Sequence, residues 1–128
     1  MEQFLDPDHI QRALATRSIY YVFKLIKKLS QSKAPGLTKS NDLFAIDINV
    51  MTRMHMVYIM YERARSRIES QNVQSENLKK IMMTVLANFA LQQLKLDHSA
   101  LYDCGFFGRG SSNLLKLSYA QTLVVLRP

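Results

Sequence analysis

Proline and glycine occur only three and four times among 128 residues, and they fall at intervals that punctuate the chain. Both interrupt regular helices, so the long stretches between them can each hold a single helical period. Pro7 directly follows Asp6, which pairs an N-cap with a proline at the first helical position. From there Ile10, Leu14, Tyr21 and Leu25 recur on one helical face, with Val22, Ile26 and Leu29 beside it. The stretch Ser30 to Gly36 ends this helix, since Pro35 cannot continue it and Gly36 relaxes the turn. Lys24, Lys27 and Lys28 suit the negative end of the helix dipole. The pattern predicts a helix over roughly residues 7–30.

The good caps Ser40, Asn41 and Asp42 predict a second helix that runs to about Ser70. Its apolar residues fill two seams, Phe44, Ile48, Met51 and Tyr58, then Val50, Met54, Val57 and Tyr61. So wide a stripe packs on more than one side. Arg63, Arg65 and Arg67, interleaved with Glu62 and Glu69, read as a wet helix end. A polar link over residues 71–75 offers Ser75 or Asn72 as the next cap, and Leu78, Ile81, Met82, Val85, Leu86 and Phe89 then recur at helical spacing up to about Lys95. Asp97 is expected to cap a short turn from His98 to Tyr102. Ser111 or Ser112 is expected to cap a last helix, with Leu114, Leu117 and Val124 on one side and Leu115, Tyr119 and Leu126 on another. Only Leu123 to Leu126 offers any hint of a strand. The expectation is an all-α fold, a helical bundle of about four main helices in one domain over residues 1–128.

Composition narrows the function classes. A single cysteine forms no internal disulfide, and Cys104 has no metal-ligand company, which removes a stapled secreted scaffold and a cysteine-based zinc site. No apolar run approaches the roughly 20 residues of a membrane helix. The start, Met1 to Asp6, is acidic and too short for a signal peptide. The formal charge of +7 raises nucleic-acid binding. Residues 1–40 hold Arg12, Arg17, Lys24, Lys27, Lys28, Lys33 and Lys39 against Glu2, Asp6 and Asp8. The aromatics nearby, in Ile19 to Phe23, sit in an apolar stretch that reads as core rather than as a stacking platform. A solvated basic face or an acidic partner surface accounts for the charge better.

Residues that could carry chemistry do not assemble into a site. Gly105-Phe106-Phe107-Gly108-Arg109-Gly110 lacks the Gly-Lys-Ser/Thr ending of a phosphate loop, and no strand precedes it. It reads as a helix–helix loop whose glycines permit positive φ and whose phenylalanines anchor it to the core. His9, His55 and His98 are too far apart for a local metal motif. His55, between Met51 and Tyr58, reads as a hydrogen-bonded core or interface residue, and Arg53 and Glu62 as surface or inter-helix ion-pair partners. Ser111 and Ser112 lack a nucleophile elbow. Cys104, beside Phe106 and Phe107, is expected to be a buried thiol.

Four stretches add a further constraint. They are Asp47-x5-Arg53-x-His55-x2-Tyr58, then Leu86-x2-Phe89-Ala90-Leu91, then Leu101-Tyr102-Asp103-Cys104-Gly105-Phe106-Phe107, and last Leu123-Val124-Val125-Leu126-Arg127-Pro128. In order and spacing they resemble the C-terminal helical domain of the peroxisomal acyl-CoA oxidases, from about Leu5 to Pro128. The resemblance implies a peroxisomal flavoprotein family, with FAD as cofactor, that oxidises acyl-CoA to trans-2-enoyl-CoA and passes the electrons to oxygen, giving hydrogen peroxide in fatty-acid β-oxidation. Flavin, substrate and the glutamate base are held mainly upstream of such a domain, so no catalytic, cofactor-binding or metal residue is carried over, and Glu62 and Glu69 are not promoted to the base. Arg53, His55 and Tyr58 match a family pattern and take packing or interface roles.

The family continues past Leu-Arg-Pro into a closing helix, and the chain is expected to be a truncated piece that lacks that helix and a terminal Ser-Lys-Leu type import signal. Exposed apolar surface should follow. The implied partners are the rest of an oxidase chain, a homodimer mate and, through the parent enzyme, acyl-CoA, with neither nucleic acid nor a membrane. Oxidase activity and bound FAD are not expected of this segment alone. The alternative is a stand-alone helical interaction module without enzymatic activity.

Overall fold

The computed structural model describes residues 2–32, 37–71 and 75–127, with side chains from Phe4 to Ser32, Phe44 to Gln71 and Ser75 to Arg127. A 3-10 turn at Glu2–Leu5 leads into α1 (Pro7–Gln31), α2 (Leu37–Ser70), α3 (Glu76–Leu96), the short α4 (Ser99–Asp103) and α5 (Ser111–Leu126). No strand occurs among the described residues, and Leu123 to Leu126 is helical. The all-α bundle expected from the sequence is therefore what forms.

Helix starts follow local chemistry in two cases and depart from it in three. The Asp6 carboxylate accepts the Asp8 amide at 3.1 Å with Pro7 at the first position of α1. Ser75 Oγ accepts the Leu78 amide at 3.4 Å. α2, however, begins at Leu37, so Ser40, Asn41 and Asp42 lie inside it; nothing in Leu37-Thr38-Lys39 breaks a helix. The other candidate cap, Asn72, lies outside the described residues. Asp97 closes α3 instead of capping α4, because its carboxylate is drawn to Tyr21 and Ser99. The N-cap of α5 is Gly110, at φ 86°, with Ser111 already helical. The 3-10 turn is unannounced by any periodicity; it seats Phe4, which packs edge-on against His9 and Phe107.

α1 and α2 are antiparallel, as the pairs Lys28–Asp47, Ser18–His55 and Gln11–Arg65 show. α3 and α5 are antiparallel too, joined by Asn88–Thr122 and by Lys95 over the Tyr119 ring at 4.6 Å. The core gathers Ile10, Leu14, Val57, Tyr61, Leu91, Leu94, Leu101, Phe107 and Leu115.

The predicted face of α3 is rotated, α5 turns in the side that carries Leu115 and Tyr119, and α1 keeps its predicted row of Ile10, Leu14 and Leu25. On α3 the inward row is Leu86, Ala90, Leu91 and Leu94, while Leu78, Ile81 and Val85 are exposed. On α5 the buried row is Leu115, Ser118 and Thr122, while Leu117, Leu123, Val124 and Val125 face out. The Asn88 amide donates to Thr122 Oγ1 at 2.8 Å, which turns a polar, slender side of α5 toward α3. On α1, Arg17 joins that predicted row and Tyr21 keeps its place on it, while Ile19 and Phe23, read as core, and Ile26 and Leu29 beside the row are exposed.

Candidate functional site

His55 and Tyr58 are brought to the α1–α2 seam, though not as a catalytic set, while Arg53 is exposed on another side of α2. His55 is exposed rather than buried, its Nδ1 3.2 Å from Ser18 Oγ and its ring 6.4 Å from that of Tyr58. Being one turn before Tyr58 puts it at the lip of the seam, where it gains a hydrogen bond without losing water. Tyr58 closes a shallow depression with Asp8, Gln11, Arg12 and Ala15. Arg53 and Glu62 form no ion pair among the described residues. That role falls to Arg65, which reaches Asp8 at 2.6 Å, Glu69 at 2.8 Å and the Gln11 amide oxygen at 2.8 Å. Hydrogen bonds to Glu69 and Asp8 outweigh partial burial and raise the Arg65 pKa. The helix end read as wet is thus partly a clasp onto α1.

A polar cluster that no sequence pattern marks lies at the other side of α1. Arg17 is fully buried. Its Nη1 donates to the Gln93 carbonyl at 2.7 Å and the Asp97 carbonyl at 3.0 Å, capping α3 from outside. Burial lowers its pKa, partly offset by Asp97 and Tyr21, with Arg53 lowering it further. Tyr21 donates to Asp97 Oδ2, and Tyr20 donates to Asp103 Oδ2 at 2.9 Å. The Tyr21 phenol is pushed up to about 12, by burial first and then by the bond to Asp97 and its charge. These groups staple α1 to α3 and α4. The only sequence signal for them is two tyrosines and an arginine in an apolar stretch, which does not name their partners.

An apolar groove of about 670 Å³ lies between α3 and α5, lined by Leu5, Tyr61, Lys80, Met83, Ala87, Leu117, Gln121, Val124 and Val125, among others. Burial pushes the Tyr61 phenol in its floor up to about 12. The Gln121 side-chain oxygen is buried there with no hydrogen-bond partner among the described residues. Lys80 is the one cation of the lining. No group of three or more His, Cys, Asp or Glu is placed to hold a metal ion among the described residues. None of the described helices is long and apolar enough to cross a membrane.

A family model described as acyl-CoA oxidase matches residues 6–128. The chain belongs to the acyl-CoA oxidase family. No curated protein and no solved structure matches it. The family match spans all four stretches that carried the resemblance, from the Asp47 to Tyr58 row to the Leu-Arg-Pro ending.

The glycine loop between α4 and α5 is the stretch whose backbone could face an anion. Three of its amides are engaged: Gly105 N–H donates to the Tyr102 carbonyl at 3.0 Å, Phe107 N–H to the Leu101 carbonyl at 2.9 Å and Gly108 N–H to Ser111 Oγ at 3.1 Å. Gly105 and Gly110 adopt positive φ, 76° and 86°, and Phe107 is buried. The loop is therefore a connection anchored by Phe107, as its residues predicted. Cys104 is exposed, not buried, since the left-handed turn at Gly105 sends Phe107 inward and leaves the thiol on the outer side of α4.

Proposed function

We propose that this chain is the C-terminal helical part of a flavin-dependent acyl-CoA oxidase, which converts acyl-CoA and oxygen to trans-2-enoyl-CoA and hydrogen peroxide in peroxisomal fatty-acid β-oxidation. In this reading FAD, the acyl-CoA and the catalytic base are bound by the remainder of the oxidase, and these helices support its packing and dimerisation. The family match over residues 6–128 carries the reading. The apolar groove between α3 and α5 supports it, as a natural seat for the closing helix that the family resemblance implies.

The test is the size of the native product in source tissue, by immunoblot with an antibody raised against the chain. A band several times larger than 14.8 kDa, in the fraction that makes hydrogen peroxide from acyl-CoA, is the expected result. A band only at the short size, absent from oxidase-active fractions, overturns the proposal in favour of a stand-alone interaction module. The isolated chain, given FAD and acyl-CoA, is expected to produce no peroxide and to retain no flavin absorbance after desalting.

A further inference from the structure

α2 turns one stripe away from both helices that pack on it. Ile46, Arg53, Met56, Met60, Arg63 and Arg67 are all exposed, the three apolar residues at 80%, 50% and 54%. At 3.6 residues per turn these six fall within an arc of roughly 100° and run about 32 Å along the helix. The residues that meet the rest of the bundle, Met54, Val57, Tyr61 and Ile68, lie on other sides. So do the acids: Asp47 is bound to Lys28, Glu69 to Arg65, and Glu62 projects from the face opposite the stripe. None of the three arginine side chains makes a hydrogen bond or ion pair among the described residues.

Scattered apolar residues on a surface are ordinary. A row of methionine and isoleucine interleaved with unpaired arginine, and free of lysine, is different, because methionine and arginine are the types enriched in protein interfaces while lysine and the acids are depleted. Methionine adapts its shape to a partner, and the guanidinium fork binds carboxylate in a bidentate manner.

We propose that this stripe docks an acidic amphipathic helix of a partner protein. The partner's apolar row lies on Ile46, Met56 and Met60, and carboxylates flanking that row meet Arg53, Arg63 and Arg67. A second copy of this chain is the poorer occupant, since stripe against stripe opposes like charges in a chain of formal charge +7. A nucleic acid would engage the arginines and leave the methionines in water.

The probe is a labelled synthetic helical peptide with leucine at helical spacing and glutamate flanking it, titrated with the chain by fluorescence anisotropy. Comparison ligands carry serine for leucine, carry lysine for glutamate, or are duplex DNA. The leucine–glutamate peptide is expected to bind best. Arg53→Glu with Arg63→Glu, and separately Met56→Ser with Met60→Ser, are each expected to weaken it on the order of tenfold. All four positions are exposed, so helical circular dichroism should not change. For the unaltered chain, added salt should weaken the peptide less steeply than it weakens a purely ionic contact. No binding of the leucine–glutamate peptide at low salt overturns the proposal. Equal binding of the leucine-free peptide or of DNA also overturns it, as does a chain dimer that the same substitutions dissolve.

Discussion

Arg17 illustrates how much one side chain can be asked to hold. Its guanidinium satisfies two carbonyls at the C-terminal end of α3, while its Nε and Nη2 have no partner among the described residues. Arg17→Ala removes the donor and opens a cavity, and is expected to cost about 3 kcal/mol in urea denaturation. Arg17→Met restores most of the volume and should cost less, the remainder reporting the two carbonyls left without a donor. Were Met as stable as Arg, the capping role would be wrong. Tyr21 gives a pH signature. An unfolded tyrosine titrates near 10, and the folded phenol is pushed up to about 12. The stability this contributes is fully present below the unfolded value and is lost as pH climbs through the folded one. Tyr21→Phe is therefore expected to lower stability at about pH 9 and to flatten the further loss toward about pH 11, by denaturant titration at both. Tyr61, also pushed up to about 12, keeps the flattening incomplete.

At the scale of the element, α5 shows local and tertiary demands meeting. Its entry needs a left-handed residue, and Gly110 supplies it at φ 86° with open space where a Cβ would sit. Gly110→Ala is thus expected to cost about 1 kcal/mol from backbone conformation alone. Gly108→Ala is the internal control: it also has open space, but no positive φ, and should be close to neutral. Thermal melting of the two variants side by side checks the pair. The aliphatics of α5 were legible as two helical sides, yet which side enters the core was not. The Asn88–Thr122 bond decides that, and it lies 34 residues apart in sequence.

For the whole molecule, the dominant fact is an apolar groove left facing water. Leu117, Val124 and Val125 line it while more than two-fifths exposed, at 52%, 68% and 59%. Exposed apolar area of this kind drives dye binding and association. The chain is expected to bind an apolar dye and to self-associate as its concentration rises, by sedimentation velocity. Leu117→Gln with Val124→Gln should reduce both while leaving helicity unchanged. If association persists undiminished, the contact lies elsewhere on the surface.

What the residues determined on their own is the helical character and the punctuation. Asp6-Pro7 starts α1, Ser75 starts α3, and Gly105 and Gly110 take the positive-φ turns, because capping and backbone freedom act over a few residues. The order of motifs also carried the acyl-CoA oxidase resemblance, which the family match bears out. Tertiary structure alone decided which faces are buried and which polar groups meet. The apolar patterns of α3 and α5 are wide enough to be buried in more than one rotation, so the partner helix chose. Arg17 entered the interior only because carbonyls 76 and 80 residues away lay within hydrogen-bond reach, and Tyr21, on the face its spacing predicted, found its carboxylate partner only through the fold. Cys104 and His55 were placed by the geometry around them, a left-handed glycine for one and the lip of a helix seam for the other. Periodicity reports that a helix has an inside; only packing, which sums contacts over the whole chain, chooses which side that is.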